Sequence, residues 1–191
     1  MKIYNRADIV NFMEIMEEDT PKLIRMQGFT EGGKSANSTT YDRRYIDERT
    51  ERSDVTGYSP EIAYSFDRIQ DNPIHDKICE ITDDELVGEQ VTIVTVNFNK
   101  KSSTGSAYEA RKRVYSVIPD TDGDNTDAYT YSGTFHAAGD IIKGTATVSE
   151  NGLTATFTAD SEADMLQVQN LSKNIAKSNL TTNNIEEKNE K

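Results

Sequence analysis

The chain has 191 residues, a formal net charge of −12 and a mean hydropathy of −0.71. This length suits one domain with a polar extension, and the acidity argues against a free-standing nucleic-acid binder, because phosphate neutralisation requires basic side chains. The lone cysteine, Cys79, cannot form an intramolecular disulfide. No apolar run reaches transmembrane length, and the N-terminus lacks the apolar stretch of a signal peptide.

The first 60 residues of the chain predict few regular elements. Residues 7–17 place Ile9, Phe12, Met13 and Met16 at the spacing of a short amphipathic helix, although an arm packing on a neighbouring subunit would show the same pattern. Residues 22–29 favour a strand. A long polar loop is expected at about 30–56, and its segment 42–54 is densely charged with mixed signs. Such a run is typical of a solvated surface or of a polar contact with another subunit.

From residue 61 onwards the sequence predicts a mostly antiparallel β domain with one helix. Ile62, Tyr64 and Phe66 alternate along a strand. Asn72-Pro73 is a helix start, and the apolar stripe that follows predicts a helix at about 73–82. Further strands are expected at 91–98, 113–118 and 129–137, with an acidic turn between the last two.

The clearest local signal is Asn151-Gly152 between two alternating segments, which predicts a tight two-residue hairpin turn. Its register pairs Val148 with Ala155 and Ala146 with Phe157 on an apolar face. The opposite face, over 145–149 and 154–158, carries hydroxyl groups. The expected domain spans 1–161, with 1–20 as an N-terminal arm or helix, and 162–191 is expected to be a polar, partly disordered extension.

Several motifs suggest catalytic, nucleotide-binding or metal-binding sites. Gly28 to Ser35 matches the phosphate-binding pattern GxxxxGK[ST], but the residues after it have poor helix propensity, whereas the phosphate site requires a helix there. Asp120 to Asp127 resembles a calcium loop whose glycine is in the wrong register. His75, His136 and Cys79 do not supply the thiolate and imidazole set of a zinc site, and Cys79 is expected to be buried and inert. The sequence therefore predicts no catalytic, cofactor or metal residues.

Two neighbouring stretches, Tyr41 to Glu48 and Gly57 to Asp67, carry a family resemblance. Together with Gly28-Phe29-Thr30 before them and Asn72 to His75 after them, they resemble the major tail tube proteins of siphophages of Gram-positive bacteria. The resemblance implies an antiparallel β-sandwich or barrel-like fold, and rings, typically sixfold, that stack into a tube. The family has no catalytic residues to transfer, so a structural protein rather than an enzyme is expected.

The resemblance also implies partners and a location. The tube encloses the tape measure protein, later conducts genomic DNA without binding it specifically, and meets tail terminator and distal tail proteins. The expected location is the virion tail, and the host cytoplasm during assembly, with no membrane partner. A long loop between early strands reaches the next ring, which makes a set of charged residues inter-ring contact candidates. These are Asp42, Arg43, Arg44, Asp47, Glu48, Arg49, Glu51 and Arg52.

Alternatives to the tube function remain open from the sequence alone. The nearest is another β-rich virion component, such as a capsid decoration or head–tail connector protein. A nucleotide-binding protein is the enzyme-class alternative, and a binding module of a bacterial cell surface is a third. For a tube, the net charge further predicts a negatively charged channel wall, because a basic wall would hold DNA phosphates. The candidate lining groups are the hydroxyl faces over 145–149 and 154–158, with Glu150 near an edge.

Overall fold

A computed structural model describes residues 3–17, 20–102, 105–123 and 126–161. Within them the protein is mainly β, as the sequence predicted, and all the strand pairs described are antiparallel. The strands are β1 (Ile9–Glu17), β2 (Thr20–Arg25), β3 (Phe29–Glu31), β4 (Lys34–Ser35), β5 (Ser38–Arg43), β6 (Arg52–Tyr58), β7 (Glu61–Asp67), β8 (Gln90–Lys101), β9 (Tyr108–Asp122), β10 (Thr130–Ala137), β11 (Ile142–Val148) and β12 (Thr154–Ala159). The helix α1 spans Pro73–Asp83, and a 3₁₀ turn spans Arg6–Asp8.

The described residues divide into two compact units. The barrel unit comprises residues up to Met26, Thr92–Arg113 and the segment from Ile141 onwards, and the helix unit comprises Gln27–Val91 and Val114–Asp140. Strands β8 and β9 each contribute residues to both units. The single domain expected over 1–161 stays a prediction.

The barrel unit is a closed six-stranded antiparallel barrel. Its strands follow the order β11-β12-β2-β1-β8-β9, and pairing of β9 with β11 closes the circle. Inward side chains of five of these strands form the core, which comprises Val10, Phe12, Leu23, Val94, Val96, Ala110 and Ala146. Closure satisfies the backbone groups that an open sheet would leave at its edges.

The hairpin of β11 and β12 confirms the predicted register and corrects the predicted turn. Val148 pairs with Ala155 and Ala146 with Phe157, and these apolar side chains belong to or pack against the barrel core. The turn is longer than two residues, because the Gly152 N–H donates to the Ser149 carbonyl, and Gly152 but not Asn151 has a positive φ. The Asn151 side chain instead accepts hydrogen bonds from the Ser149 hydroxyl and the Leu153 N–H, at 2.7 and 3.1 Å.

The N-terminal segment corrects the helix expected at 7–17, because residues 9–17 form strand β1 between β2 and β8. The spacing of Ile9, Phe12, Met13 and Met16 fits a helix, but Val10 and Phe12 alternate with polar Asn11 and point into the barrel core. The pairing of residues 9–17 with β2 and β8 also excludes the alternative prediction, a separate N-terminal arm, for these residues. Residues 162–191, with the predicted extension, lie outside the described part of the chain.

The helix unit is built on a sheet in which β10 lies between β9 and β7, while β3 and β4 pair with the other edge of β7. Its core is aromatic. The Tyr64 and Phe135 rings are stacked with their centres 4.4 Å apart, and the Phe66 and Tyr131 rings are stacked with their centres 5.6 Å apart. Helix α1 starts at the predicted Asn72 cap and buries Ile74, Ile78 and Ile81.

Candidate assembly surface

The predicted polar loop at 30–56 is exposed, but much of it is regular structure. Strands β3 and β4 occupy its start, and β5 and β6 form a separate two-stranded sheet. This protruding hairpin is defined here as residues 38–58. The Ser59 N–H donates to the Asn37 carbonyl at 3.1 Å, which brings the two ends of the hairpin together. Both strands carry polar residues on both faces, so their sequences lack the hydrophobic alternation that would predict a strand.

The protruding hairpin leaves large apolar side chains in solvent. Tyr41, Tyr45, Val55 and Tyr58 are about half exposed or more, and Ile46 is fully exposed. A two-stranded sheet that is bare on both faces is only marginally stable by itself in water. Apolar groups on such an element are typical of a surface that another protein covers.

The hairpin tip is organised around Tyr45. The guanidinium groups of Arg43 and Arg52 lie 5.5 and 5.6 Å from the centre of its ring, within the range of cation–π attraction. Arg43 and Arg52 are also opposite each other in the β5–β6 ladder, where like charges repel. Glu48 offsets this repulsion because both of its carboxylate oxygens accept from Arg52, one of them from Nε at 2.9 Å.

The eight predicted contact residues all lie in this hairpin, and only some interact with one another. Arg52 pairs with Glu48, Arg43 donates to the Tyr41 hydroxyl at 3.2 Å, and Asp42 accepts from the Ser53 hydroxyl. Among the described residues, the side chains of Arg44, Asp47, Arg49 and Glu51 have no ion pair or hydrogen bond. The eight charges cancel, so the tip offers both signs to a partner.

Charge is divided unequally between the two units. The described residues of the helix unit carry 7 basic and 19 acidic side chains, a net charge of −12. Those of the barrel unit carry 9 basic and 6 acidic side chains, a net charge of +3. The hydroxyl faces over 145–149 and 154–158, which the sequence favoured for a negatively charged wall, therefore belong to the more basic unit.

The phosphate-binding pattern Gly28–Ser35 lacks the helix that nucleotide binding requires. Lys34 and Ser35 pair with β7, and the chain continues into strand β5. Without a helix N-terminus behind the lysine, the backbone amides that hold phosphates are not aligned. The described residues also contain no group of three or more His, Cys, Asp or Glu side chains arranged to hold a metal ion.

His75 and Cys79 are packing residues of the helix unit. The His75 Nδ1 accepts from the Ile69 N–H at 3.1 Å, so Nε2 carries the proton and donates to the Gln27 carbonyl at 2.9 Å. The Phe66 ring lies 4.2 Å away, and burial lowers the pKa of His75 below its ordinary value. Burial likewise raises the pKa of the Cys79 thiol, which disfavours the nucleophilic thiolate.

Comparison with solved structures finds the same fold in a chain of one particle tail. No protein-family model matches the chain, and no curated protein matches it significantly. A chain in the tail of an empty gene transfer agent (GTA) particle, refined with C6 symmetry, superimposes with a TM-score of 0.51 at 15% identity. The match covers 82% of this chain and all of the other.

Two further solved structures match less closely. A chain of the native gene transfer agent virion gives a TM-score of 0.48 at 15% identity, covering 82% of this chain and all of the other. One from the sixfold-symmetrised baseplate of the anti-feeding prophage gives 0.41 at 10% identity, covering 75% and 97%. At these identities the similarity establishes a shared fold, for which the GTA tail chain is the relevant comparison.

None of the helices in the described residues is both long and apolar enough to cross a membrane.

Proposed function

We propose that this protein is the tube subunit of a phage-type tail and that it self-assembles into stacked rings. The observation that carries the proposal is a six-stranded barrel with a protruding, partly apolar hairpin, in a fold shared with a chain of a C6-symmetric tail. The resemblance of residues 41–67 to siphophage tail tube proteins supports the finer assignment to a siphophage of Gram-positive bacteria. Sixfold rings are favoured by the symmetry of that tail particle.

The protruding hairpin is the proposed contact between successive rings. Its exposed Tyr41, Tyr45 and Ile46 can be buried, and unpaired Arg44 and Asp47 can find partners of opposite charge. Apolar groups surrounded by charges of both signs combine affinity with a defined register. The eight charged residues of 42–52 therefore remain the candidate inter-ring contacts.

In this function the tube encloses a tape measure protein and later conducts genomic DNA into the host. Tail terminator and distal tail proteins are the proposed partners at its two ends. The protein is placed in the virion tail, after assembly in the host cytoplasm, and acts without catalysis. A capsid decoration or head–tail connector protein is the alternative, but it gains no support from the tail chain that shares this fold.

Electron microscopy of the purified protein tests the proposal. The native chain is expected to form tubes or stacked rings with six subunits per ring. Replacing 38–58 by a short glycine linker, which the adjacent Asn37 and Ser59 permit, should leave a folded subunit that forms no long tubes. Ile46→Ser should shorten the tubes, whereas Ile3→Ser, at another exposed isoleucine, should not. Normal tubes from the shortened chain would exclude the hairpin as the stacking element, and particles other than tubes or rings would contradict the tube function.

A further inference from the structure

The barrel carries a strip of basic side chains on strands β9 and β11. Arg111 and Lys143 are directly opposite each other in the ladder, and both are exposed. Like charges at such a position destabilise a sheet. A feature that costs stability in the isolated chain, on an otherwise acidic protein, points to a partner of opposite charge.

A single carboxylate balances this strip only in part. Glu109 contacts Lys100 at 2.9 Å and Arg111 at 3.0 Å, and these two cations lower the pKa of its carboxyl group. Lys143 has no ion pair within the described residues. Two of the three cations therefore share one carboxylate and the third has no ion pair, and half-exposed Ile141 adds an apolar group beside Lys143.

The end of α1 has the complementary features. The last turn of the helix contains no basic residue, and Asp83, Asp84 and Glu85 place negative charge at its carbonyl end, where the helix dipole disfavours it. Asp84 and Glu85 have no side-chain partner among the residues that the structure describes. Val87 follows in the same loop and is 97% exposed.

We propose that the basic strip of one copy, Arg111, Lys143 and Ile141, docks on the acidic loop of another copy, Asp84, Glu85 and Val87. The occupant is a second copy because the two surfaces match in charge and each has an exposed aliphatic group. The described residues of the helix unit, with their net charge of −12, also attract a basic face at longer range. Because the two patches differ, each copy can use one patch for each of two neighbours, and such a head-to-tail contact leads to rings or filaments. It rests on the proposed self-assembly and adds a second interface to the hairpin.

Cross-linking through introduced cysteines tests this contact without requiring tubes. Val87→Cys with Ile141→Cys, treated with a short bismaleimide, should give a ladder of multimers on a denaturing gel. Each single variant alone should give none, and buried Cys79 should leave the native chain unreacted. Dimers from either single variant would overturn the head-to-tail arrangement.

Charge exchange in the cross-linking background tests the pairing. Arg111→Glu with Lys143→Glu, or Asp84→Lys with Glu85→Lys, should each lower the ladder yield by about tenfold or more, because like charges then meet. Combining both reversals in one chain should restore the ladder. As a matched control, Lys101→Glu makes the same charge change as Lys143→Glu at another exposed lysine and should have little effect.

The outcomes separate this contact from the tube function. A charge-dependent ladder without tubes would support the contact and reject the tube. Tubes without a ladder, or a ladder that ignores the reversals, would reject the contact and leave the tube in place. DNA retention lost in Arg111→Glu with Lys143→Glu, with the ladder unchanged, would assign the strip to DNA and also overturn the contact. Absence of both ladder and tubes would reject both proposals.

Discussion

Replacing the buried Lys112 alone should destabilise the barrel much more than replacing both members of its ion pair with Glu14. Lys112 on β9 and Glu14 on β1 have side chains only 3% and 8% exposed, and the Lys112 Nζ donates to the Glu14 carboxylate at 2.6 Å. Lys112→Met keeps most of the side-chain volume but leaves Glu14 buried without its counter-charge. That change should lower the free energy of unfolding by about 3–5 kcal/mol.

The double variant Glu14→Leu with Lys112→Met should be as stable as the native barrel or more stable. Within the described residues, the second Glu14 oxygen, Oε1, has no hydrogen-bond partner, so the pair does not fully recover the cost of leaving water. Apolar replacement of such pairs is neutral or stabilising by about 1–4 kcal/mol. The two single changes are therefore strongly non-additive.

Urea denaturation of the non-assembled protein, followed by circular dichroism, measures all three variants in a double-mutant cycle. Arg111→Met is the matched control on the same strand, since its side chain is more than half exposed, and it should change the unfolding free energy by only about 0.5 kcal/mol. A Lys112→Met variant as stable as that control would refute the buried-charge argument. A double variant as unstable as Lys112→Met would show that the pair is needed for packing or register.

Three further predictions concern other parts of the chain. Because burial lowers the pKa of His75, the unfolded chain takes up a proton near pH 6.5 that the folded chain does not, so stability should fall as the pH drops below 6.5. His75→Gln should flatten that dependence in urea denaturation series, and an unchanged slope would assign it to other groups. Lys34→Ala should leave folding and assembly intact, and calorimetry should detect no ATP binding by the native chain; magnesium-dependent binding lost in this variant would contradict the strand assignment. Removing 177–191, which has little apolar surface to bury, should leave the melting temperature nearly unchanged, and a large decrease would mean that the segment packs on a folded surface.

Elements defined by local signals could be predicted closely from the sequence. The cap at Asn72, the stripe that begins at Ile74, and the alternation on either side of Asn151-Gly152 are each contained within about a dozen residues, and the structure confirms the helix and the hairpin register. The turn itself differed because the Asn151 side chain accepts hydrogen bonds from the Ser149 hydroxyl and the Leu153 N–H on either side of it.

Elements defined by distant contacts could not be predicted. Glu14 is inward-facing on β1 and breaks the alternation that would have indicated a strand, because its partner Lys112 is 98 residues away. Strands β5 and β6 have no buried face, so no periodic pattern marks them. The proposed basic strip depends on the β9–β11 register, which places Arg111 opposite Lys143 across an intervening segment of more than thirty residues.

The order in which the barrel closes has a consequence for synthesis in the cell. Strand β2, near the start of the chain, pairs with β12, whose last residue is Ala159. A nascent chain that has not yet released β12 from the ribosome exposes the unpaired edges of β2 and β11. Such long-range pairing is slow to form, and open edges invite aggregation. We therefore expect the barrel to close only after β12 has been synthesised and released, so that chains that lack β12 contain no finished barrel.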